Sequence, residues 1–319
     1  MPPPTGSTNH KTLTPDEAFS ILGNETRIQI LQELGEADQS LSFTDLRERV
    51  GVRQGAQFNY HLDKVVGHFV EKTDEGYILR EPGRRVIQSV LSGAVTDDPI
   101  VEPMEVDFSC RHCGAPVEVS YSRGKLWLSC TECGGNFDKS TLREREGKNA
   151  SANLSDMTLP PAGVQGRTAA DALRTAATTV HLDAMAASSD VCPRCSAPVD
   201  HSVSVCESHD ATDGLCEVCD FRWMIRFRFR CTNCIYDQAF AAVMALLDVP
   251  ELLVFVGEHG LNMSSRGIEW GWDYEEEILS VDPFKGRFTF TIEGDSITLT
   301  VDDTLAVLDA TKHYPSESA

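Results

Sequence analysis

In the first ninety residues apolar side chains return every three to four positions, the period of helices with one buried face. Thr14-Pro15-Asp16-Glu17 reads as a helix start, with a cap residue, proline at the first helical position and acids in the first turn. Ala18, Phe19 and Leu22 share the face that follows. A second helix begins at Asn24, carries Ile28, Leu31 and Leu34 at core spacing, and ends at Gly35. Ser42 caps a third, with Asp45 in its first turn, Phe43, Leu46 and Val50 inward and Gly51 closing it. A fourth, about Gln54 to Gly67, buries a stripe of Phe58, Leu62, Val65 and Val66, continued by Phe69. The period then drops to two: Phe69–Thr73 and Tyr77–Arg80, joined by Asp74-Glu75-Gly76, predict a hairpin. A last helix, Arg84 to Leu91, packs back on the domain or makes a dimer contact.

The fourth helix carries a second message. Arg53, Gln57, Tyr60, His61 and Lys64 fall together on a face more than 100° from the apolar stripe, at about 100° per residue. Gln54 begins that helix, and Arg80, Arg84 and Arg85 add positive charge beside the hairpin. Amide, guanidinium, ammonium and phenol groups are those that reach base edges and phosphates in a major groove. The candidate duplex contacts are therefore Arg53, Gln54, Gln57, Tyr60, His61, Lys64 and Arg80.

These residues carry a resemblance. Ala18–Arg80 resembles the ArsR-type winged helix-turn-helix regulators, through Asn24-Glu25-Thr26-Arg27-Ile28-Gln29-Ile30-Leu31 in the second helix and Tyr60-His61-Leu62 with Phe69-Val70. With the cysteine hairpins described below, the chain looks like the multi-domain haloarchaeal members of that group. The resemblance implies a winged helix fold, transcriptional regulation, binding of double-stranded DNA and a homodimer. Asp45-Leu46-Arg47-Glu48-Arg49-Val50 holds no thiol, so the thiolate sensing site of the arsenic and cadmium sensors is not expected there.

Beyond residue 100 cysteine spacing dominates. Cys110-x-x-Cys113 and Cys130-x-x-Cys133 flank two strand-like segments, Pro116–Tyr121 and Lys125–Ser129, with Ser122-Arg123-Gly124 as the turn. Folding that hairpin brings four thiolates around one tetrahedral zinc ion, a closed shell with no position left for catalysis. A second region holds Cys192/Cys195, Cys206/His209, Cys216/Cys219 and Cys231/Cys234, eight ligands for two ions. Ten residues separate Cys195 from Cys206 and eleven separate Cys219 from Cys231, which suggests two antiparallel strands with ends about 30 Å apart. Nested pairing follows: Cys192, Cys195, Cys231 and Cys234 at one end, and Cys206, His209, Cys216 and Cys219 at the other. Cross-brace pairing is the competitor. The motif also repeats, since Cys110-Arg-His-Cys113-Gly-Ala-Pro-Val117 echoes Cys192-Pro-Arg-Cys195-Ser-Ala-Pro-Val199. His112 and His201 are expected to face solvent or make hydrogen bonds.

Strict alternation over Phe221–Arg230 predicts a strand with Phe221, Trp223, Ile225, Phe227 and Phe229 on one face and Arg222, Arg226, Arg228 and Arg230 on the other. The arginine face either grips phosphate or pairs with the chain's own carboxylates, Glu275–Glu277 being the nearest candidates. Internal pairing suits so acidic a chain. Asp237–Leu247 and Pro250–Gly257 read as helices, and Glu277–Asp282, Gly286–Ile292 and Ser296–Val301 as a three-strand meander. Trp270 and Trp272 are assigned to a loop or to core.

The expected organisation is α+β: a disordered tail (1–13), a winged helix domain (14–95), a zinc ribbon (104–138), a Pro/Gly-rich linker (139–167), a module of one Ala-rich helix and a two-zinc hairpin (168–236), and an acidic α+β region (237–319). Eleven cysteines without a signal peptide or an apolar run of membrane length place the chain in the cytoplasm, with reduced thiols and about three structural zinc ions. The formal net charge is -21, yet residues 1–95 carry 10 Lys+Arg against 13 Asp+Glu, whereas residues 235–319 carry 4 against 16. Twenty of the 28 basic residues are Arg. An acidic, Lys-poor chain suits a salt-rich, halophilic cytoplasm, where at about 1 M the Debye length falls to roughly 3 Å and distant like charges matter little. No nucleotide loop, nucleophile–base pair or H-x-E with P-C-x-x-C is present, so no enzyme is expected. The function expected is that of a DNA-binding regulator of unknown effector; a zinc-stabilised protein-interaction scaffold is the alternative.

Overall fold

In a computed structural model of the chain, residues 13–139, 152–212, 214–261 and 273–315 are described here. The expected tail, save Leu13, and both Trp270 and Trp272 lie outside these residues. The chain divides into two compact units, Met1–Asp97 and Asp98–Ala319. The secondary structure is mixed α+β, and the paired strands are antiparallel.

The first unit orders helices α1 (Pro15–Leu22), α2 (Glu25–Glu36), α3 (Phe43–Val50) and α4 (Gly55–Val65), strands β1 (Val70–Thr73) and β2 (Gly76–Leu79), and helix α5 (Glu81–Leu91). The first three helices start where side chains can accept backbone N–H groups: Thr14 with Glu17 in a reciprocal box, Asn24, and Ser42. Gly51, with φ 76°, ends α3 in the left-handed region and turns the chain into α4. Ile30, Leu31, Leu46, Phe58, Leu62, Val65 and Ile87 make one core. Leu41 and Tyr77 exchange backbone hydrogen bonds of 3.1 and 2.9 Å, tying the hairpin to the segment before α3. Gly76, with φ 146°, sits where a Cβ would collide with the Leu41 carbonyl. Helix α5 packs back on α2 and β2.

Among the described residues the second unit holds three sheets. The first runs β3 (Val101–Ser109), β4 (Pro116–Ser122), β5 (Lys125–Cys130), β6 (Ser155–Thr158). Helix α6 (Ala169–Ser188), capped by Thr168, lays Ala172, Leu173, Ala176 and Ala177 against it and sends Ala187 into the next core. The second sheet joins β7 (Val199–Val205), β8 (Ile225–Cys231) and β9 (Asp237–Ala241). After the short helices α7 (Ala242–Ala245) and α8 (Pro250–Glu258), β10 (Asp273–Val281), β11 (Phe284–Ile292), β12 (Asp295–Asp302) and β13 (Val307–His313) form the third. Phe227 and Phe229 of β8 share one core with Phe255, Phe288 and Phe290, so the second and third sheets are joined by packing.

Three sequence expectations change. Residues 152–167, expected as linker, contain β6 hydrogen-bonded to β5, and Ala152, Asn153, Met157 and Leu159 are buried. Residues 237–241, expected as helix, pair with β8, because an open strand edge offers backbone partners that outweigh the helical preference of the Ala-rich segment. The meander has four strands and begins at Asp273. No helix among the described residues is long and apolar enough to cross a membrane.

Candidate metal centres and the exposed face of the fourth helix

The hairpin β4–β5 returns the chain upon itself, so the knuckles at its open end meet. Cys110 and Cys133 sulfurs stand 3.7 Å apart, and Cys113 and Cys130 sulfurs 3.5 Å. Zn–S bonds of about 2.3 Å in a tetrahedron place sulfurs about 3.8 Å apart. The amides of Glu132 and Cys133 both donate to Cys130 Sγ at 3.4 Å. Burial opposes ionisation of Cys130, but these amides, the Cys133 one foremost, bring its pKa down to about 7. Its neighbour Cys133 is pushed up to about 12 by burial and by the facing thiols. The four sulfurs cannot all ionise without a cation among them.

The second cysteine-rich region pairs as nested sets. Cys192, Cys195, Cys231 and Cys234 converge, with Cys192–Cys234 at 3.6 Å and Cys195–Cys231 at 3.4 Å. Cys206, His209, Cys216 and Cys219 converge separately. Strands β7 and β8, seven residues each, lie between these sets and span about 20 Å at 3.3 Å per residue. This is shorter than the expected 30 Å because β8 starts only at Ile225, after a turn at 220–224.

The repeated motif is one hydrogen-bonded design used twice. Cys110 N–H donates to Ala115 O and Gly114 N–H to Cys110 O; Cys192 N–H donates to Ala197 O and Ser196 N–H to Cys192 O. Thr131 and Thr232 each cross to the carbonyl of the motif proline, Pro116 and Pro198, through both N–H and Oγ1. Cys195 is lowered to about 6, chiefly by the Ala197 amide.

In the third tetrad His209 Nε2 lies 3.0 Å from the Arg222 carbonyl oxygen, which can only accept. That bond fixes the proton on Nε2 and leaves the Nδ1 lone pair facing Cys219 Sγ at 3.5 Å. Cys216 is lowered to about 6, first by the Asp210 amide, whereas burial raises Cys219 to about 11. All four ligand atoms of each tetrad lie within 4.8 Å of one another. The donor sets, three closed shells of soft and borderline ligands, fit about three structural zinc ions.

Two positioning residues escaped the sequence reading. Asn153, buried within the expected linker, accepts the Cys130 N–H on Oδ1 at 2.8 Å and donates from Nδ2 to the Cys133 carbonyl at 2.9 Å. Asn136 accepts on Oδ1 from His112 Nε2 at 2.8 Å and donates from Nδ2 to Leu154 O at 2.9 Å. No spacing rule marks a lone asparagine 20 to 24 residues from its motif partner. Gly135, with φ 72°, lets the Asn153 backbone close over the knuckle, and a Cβ there would collide with the Asn153 carbonyl oxygen. Gly135→Ala is therefore expected to lower the stability of the second unit by about 1–3 kcal/mol, the cost of a strained left-handed residue. It should also weaken metal retention at the first tetrad; a urea midpoint unchanged from the parent chain would reject the clasp.

The first and third tetrads are stitched together. Residues 136–138 run beside 220–222 through Arg222 N–H to Asn136 O at 2.9 Å and Asp138 N–H to Asp220 O at 3.0 Å. Arg222 Nε adds a bond of 2.8 Å to the Gly135 carbonyl. On the arginine face of β8 it is Arg228 that pairs internally, and not with Glu275–Glu277. Arg228 makes a two-pronged bond to Asp237 on β9, at 2.7 and 2.6 Å. Glu276 instead accepts the Met224 and Ile225 amides and the Tyr274 hydroxyl, and Glu277 pairs with Arg287. Pairing of β9 with β8 sets Asp237 diagonal to Arg228.

In the first unit Phe58, Leu62 and Val65 are buried while Arg53, Gln54, Gln57, Tyr60 and Lys64 are exposed. Lys64 Nζ lies 5.6 Å from the Tyr60 ring centroid. His61 is half-buried against Tyr60, and its Nδ1 has no partner among the described residues. Arg80 is exposed and donates to the Gly67 carbonyl, linking the end of the hairpin to the end of α4.

These features define a mixed α+β protein with three cysteine-rich clusters of zinc-ribbon kind. Residues 107–307 match the domain of unknown function DUF7351, and the chain belongs to that family. Residues 15–90 match a second domain of unknown function, DUF7347. No curated protein and no solved structure matches the chain.

Proposed function

We propose that the first unit is a winged helix-turn-helix that binds double-stranded DNA, and that the protein is a transcriptional regulator whose three zinc ions are structural. One observation carries this reading: α4 follows α3 after a glycine turn, buries Phe58, Leu62 and Val65, and exposes Gln57, Tyr60 and Lys64 on a face without a carboxylate. Strands β1 and β2 supply the wing, with Arg80 at its base. The resemblance to ArsR-type regulators supports a homodimer reading two half-sites. Each tetrad offers four protein ligands, a full shell for one zinc ion, which supports a structural role and no hydrolytic one.

Fluorescence anisotropy against a randomised duplex library, followed over a salt series, tests the reading. The parent chain is expected to bind with an affinity that falls as salt rises. Gln57→Ala with Lys64→Ala should weaken selected duplexes at least about tenfold, since a lost base contact costs about 1–3 kcal/mol. The salt slope should fall by about one for the lost lysine. An unchanged affinity for the double variant would overturn the assignment of this face. Absence of duplex binding by the parent chain would favour the scaffold alternative.

A further inference from the structure

A cavity of about 330 Å³ lies in the second unit where the first sheet, helix α6 and the start of β8 meet. Its walls are mainly apolar, with Phe108, Phe137, Val180, Trp223 and Phe240 among them. Its size is at the lower end of small-molecule sites, roughly 300–1,000 Å³. Three charged side chains line it: Arg111, Asp156 and Arg226. Asp156 is held by Lys125 Nζ at 3.0 Å. Arg111 reaches over the Trp223 ring, 6.0 Å from its centroid.

Arg226 lines this cavity, and its surroundings differ from those of Arg228 on β8 and of Arg222 just before that strand. Arg228 has Asp237 and Arg222 has the Gly135 carbonyl. The Arg226 guanidinium stacks on Phe221, 3.8 Å from the ring centroid; the Cys219 and Cys206 sulfurs of the third tetrad attract it, but among the described residues no hydrogen bond or ion pair holds it. Stacking covers a face of the guanidinium and leaves its edge, with a fork of donors, beside an apolar space. A half-buried cation in such a setting favours an anion that can be gripped at two points.

We propose that this cavity binds a small amphipathic acid: an apolar aliphatic or aromatic body against the phenylalanine and tryptophan walls, with one carboxylate on the Arg226 fork. Cys110 of the first metal tetrad lines the site, as do Asn136, Phe137 and Phe221 of the two segments that join the first tetrad to the third, so an occupant would touch the elements that join them. This reading does not depend on DNA binding, and its test uses no duplex.

Isothermal titration of the zinc-loaded full chain with decanoate and with decanol at constant salt tests it. Decanoate is expected to bind one to one and at least tenfold more tightly than decanol. Arg226→Gln should abolish that preference while leaving decanol affinity within twofold. Ala239→Phe, at an exposed position of the cavity lining, should weaken both ligands. Saturable 1-naphthoate binding would extend the class to aromatic acids. No saturable decanoate binding by protein that retains its zinc overturns the site. Equal affinity for the acid and the alcohol in the parent chain, or a preference surviving in Arg226→Gln, overturns the role of the arginine. Should Arg226→Gln fail to fold, the acid–alcohol comparison and Ala239→Phe decide the matter.

Discussion

Stripping the metal with a strong chelator is expected to unfold the second unit while the first keeps its helices. The first two tetrads draw ligands from chain segments 17 to 42 residues apart, as in Cys113–Cys130 and Cys192–Cys234, and the third closes the shorter loop from Cys206 to Cys219. A metal bond therefore closes a loop that the apolar core alone does not close. Within each tetrad some thiols are driven down, Cys195 and Cys216 to about 6, while Cys234 and Cys219 are driven up, to about 12 and about 11. Metal-free protein thus holds protonated thiols packed against one another. Zinc binding in small metal-folded domains is worth on the order of 10–16 kcal/mol, comparable to the whole stability of a domain, about 5–15 kcal/mol. Zinc release read by a chromogenic indicator should reach close to three ions per chain, with loss of the second unit's thermal transition. Cys206→Ser should lower the count to two. A transition unaffected by complete metal removal would refute the structural role. The core of the first unit uses no cysteine and should persist.

Phe227→Ala is expected to cost about 3–5 kcal/mol, the range for removing a buried aromatic ring. Phe227 is fully buried and meets Phe284 edge-on, with ring centroids 6.0 Å apart. That contact lies where the second sheet packs on the third, so the vacated space cannot be filled by movement of one strand alone. A denaturant midpoint for the second unit within experimental error of the parent would show that the two sheets are not cooperatively joined. Exposed Val254 on α8 is a fitting control, since Val254→Ala removes no buried surface of comparable size.

Much of this architecture could be read from residue order because the signals were local. Equal spacing between knuckles implied nested tetrads, and the Cys-x-x-Cys-small-Ala-Pro-Val repeat implied one knuckle built twice. Thr14, Asn24, Ser42 and Gly51 marked helix ends through their own hydrogen bonds or conformation. The remainder was set by distant partners. Strand β6 is only four residues long, and Met157 and Leu159 gain their burial from the first sheet and α6. Residues 237–241 are Ala- and Phe-rich, compatible with helix, and become strand because β8 offers an open edge. Strand β13 is mostly exposed and lacks alternation, so no periodic signal announces it. Asn153 gives no hint in sequence that it will grip Cys130 and Cys133.

Arg222 serves two metal centres at once. Its carbonyl holds the His209 ring, and its side chain holds Gly135, two residues beyond Cys133. A disturbance at either centre is therefore felt at the other through one residue, while the Cys192–Cys234 cluster stands apart at the far end of its ribbon. Metal retention is thus expected to be coupled between the first and third tetrads and set independently at the second.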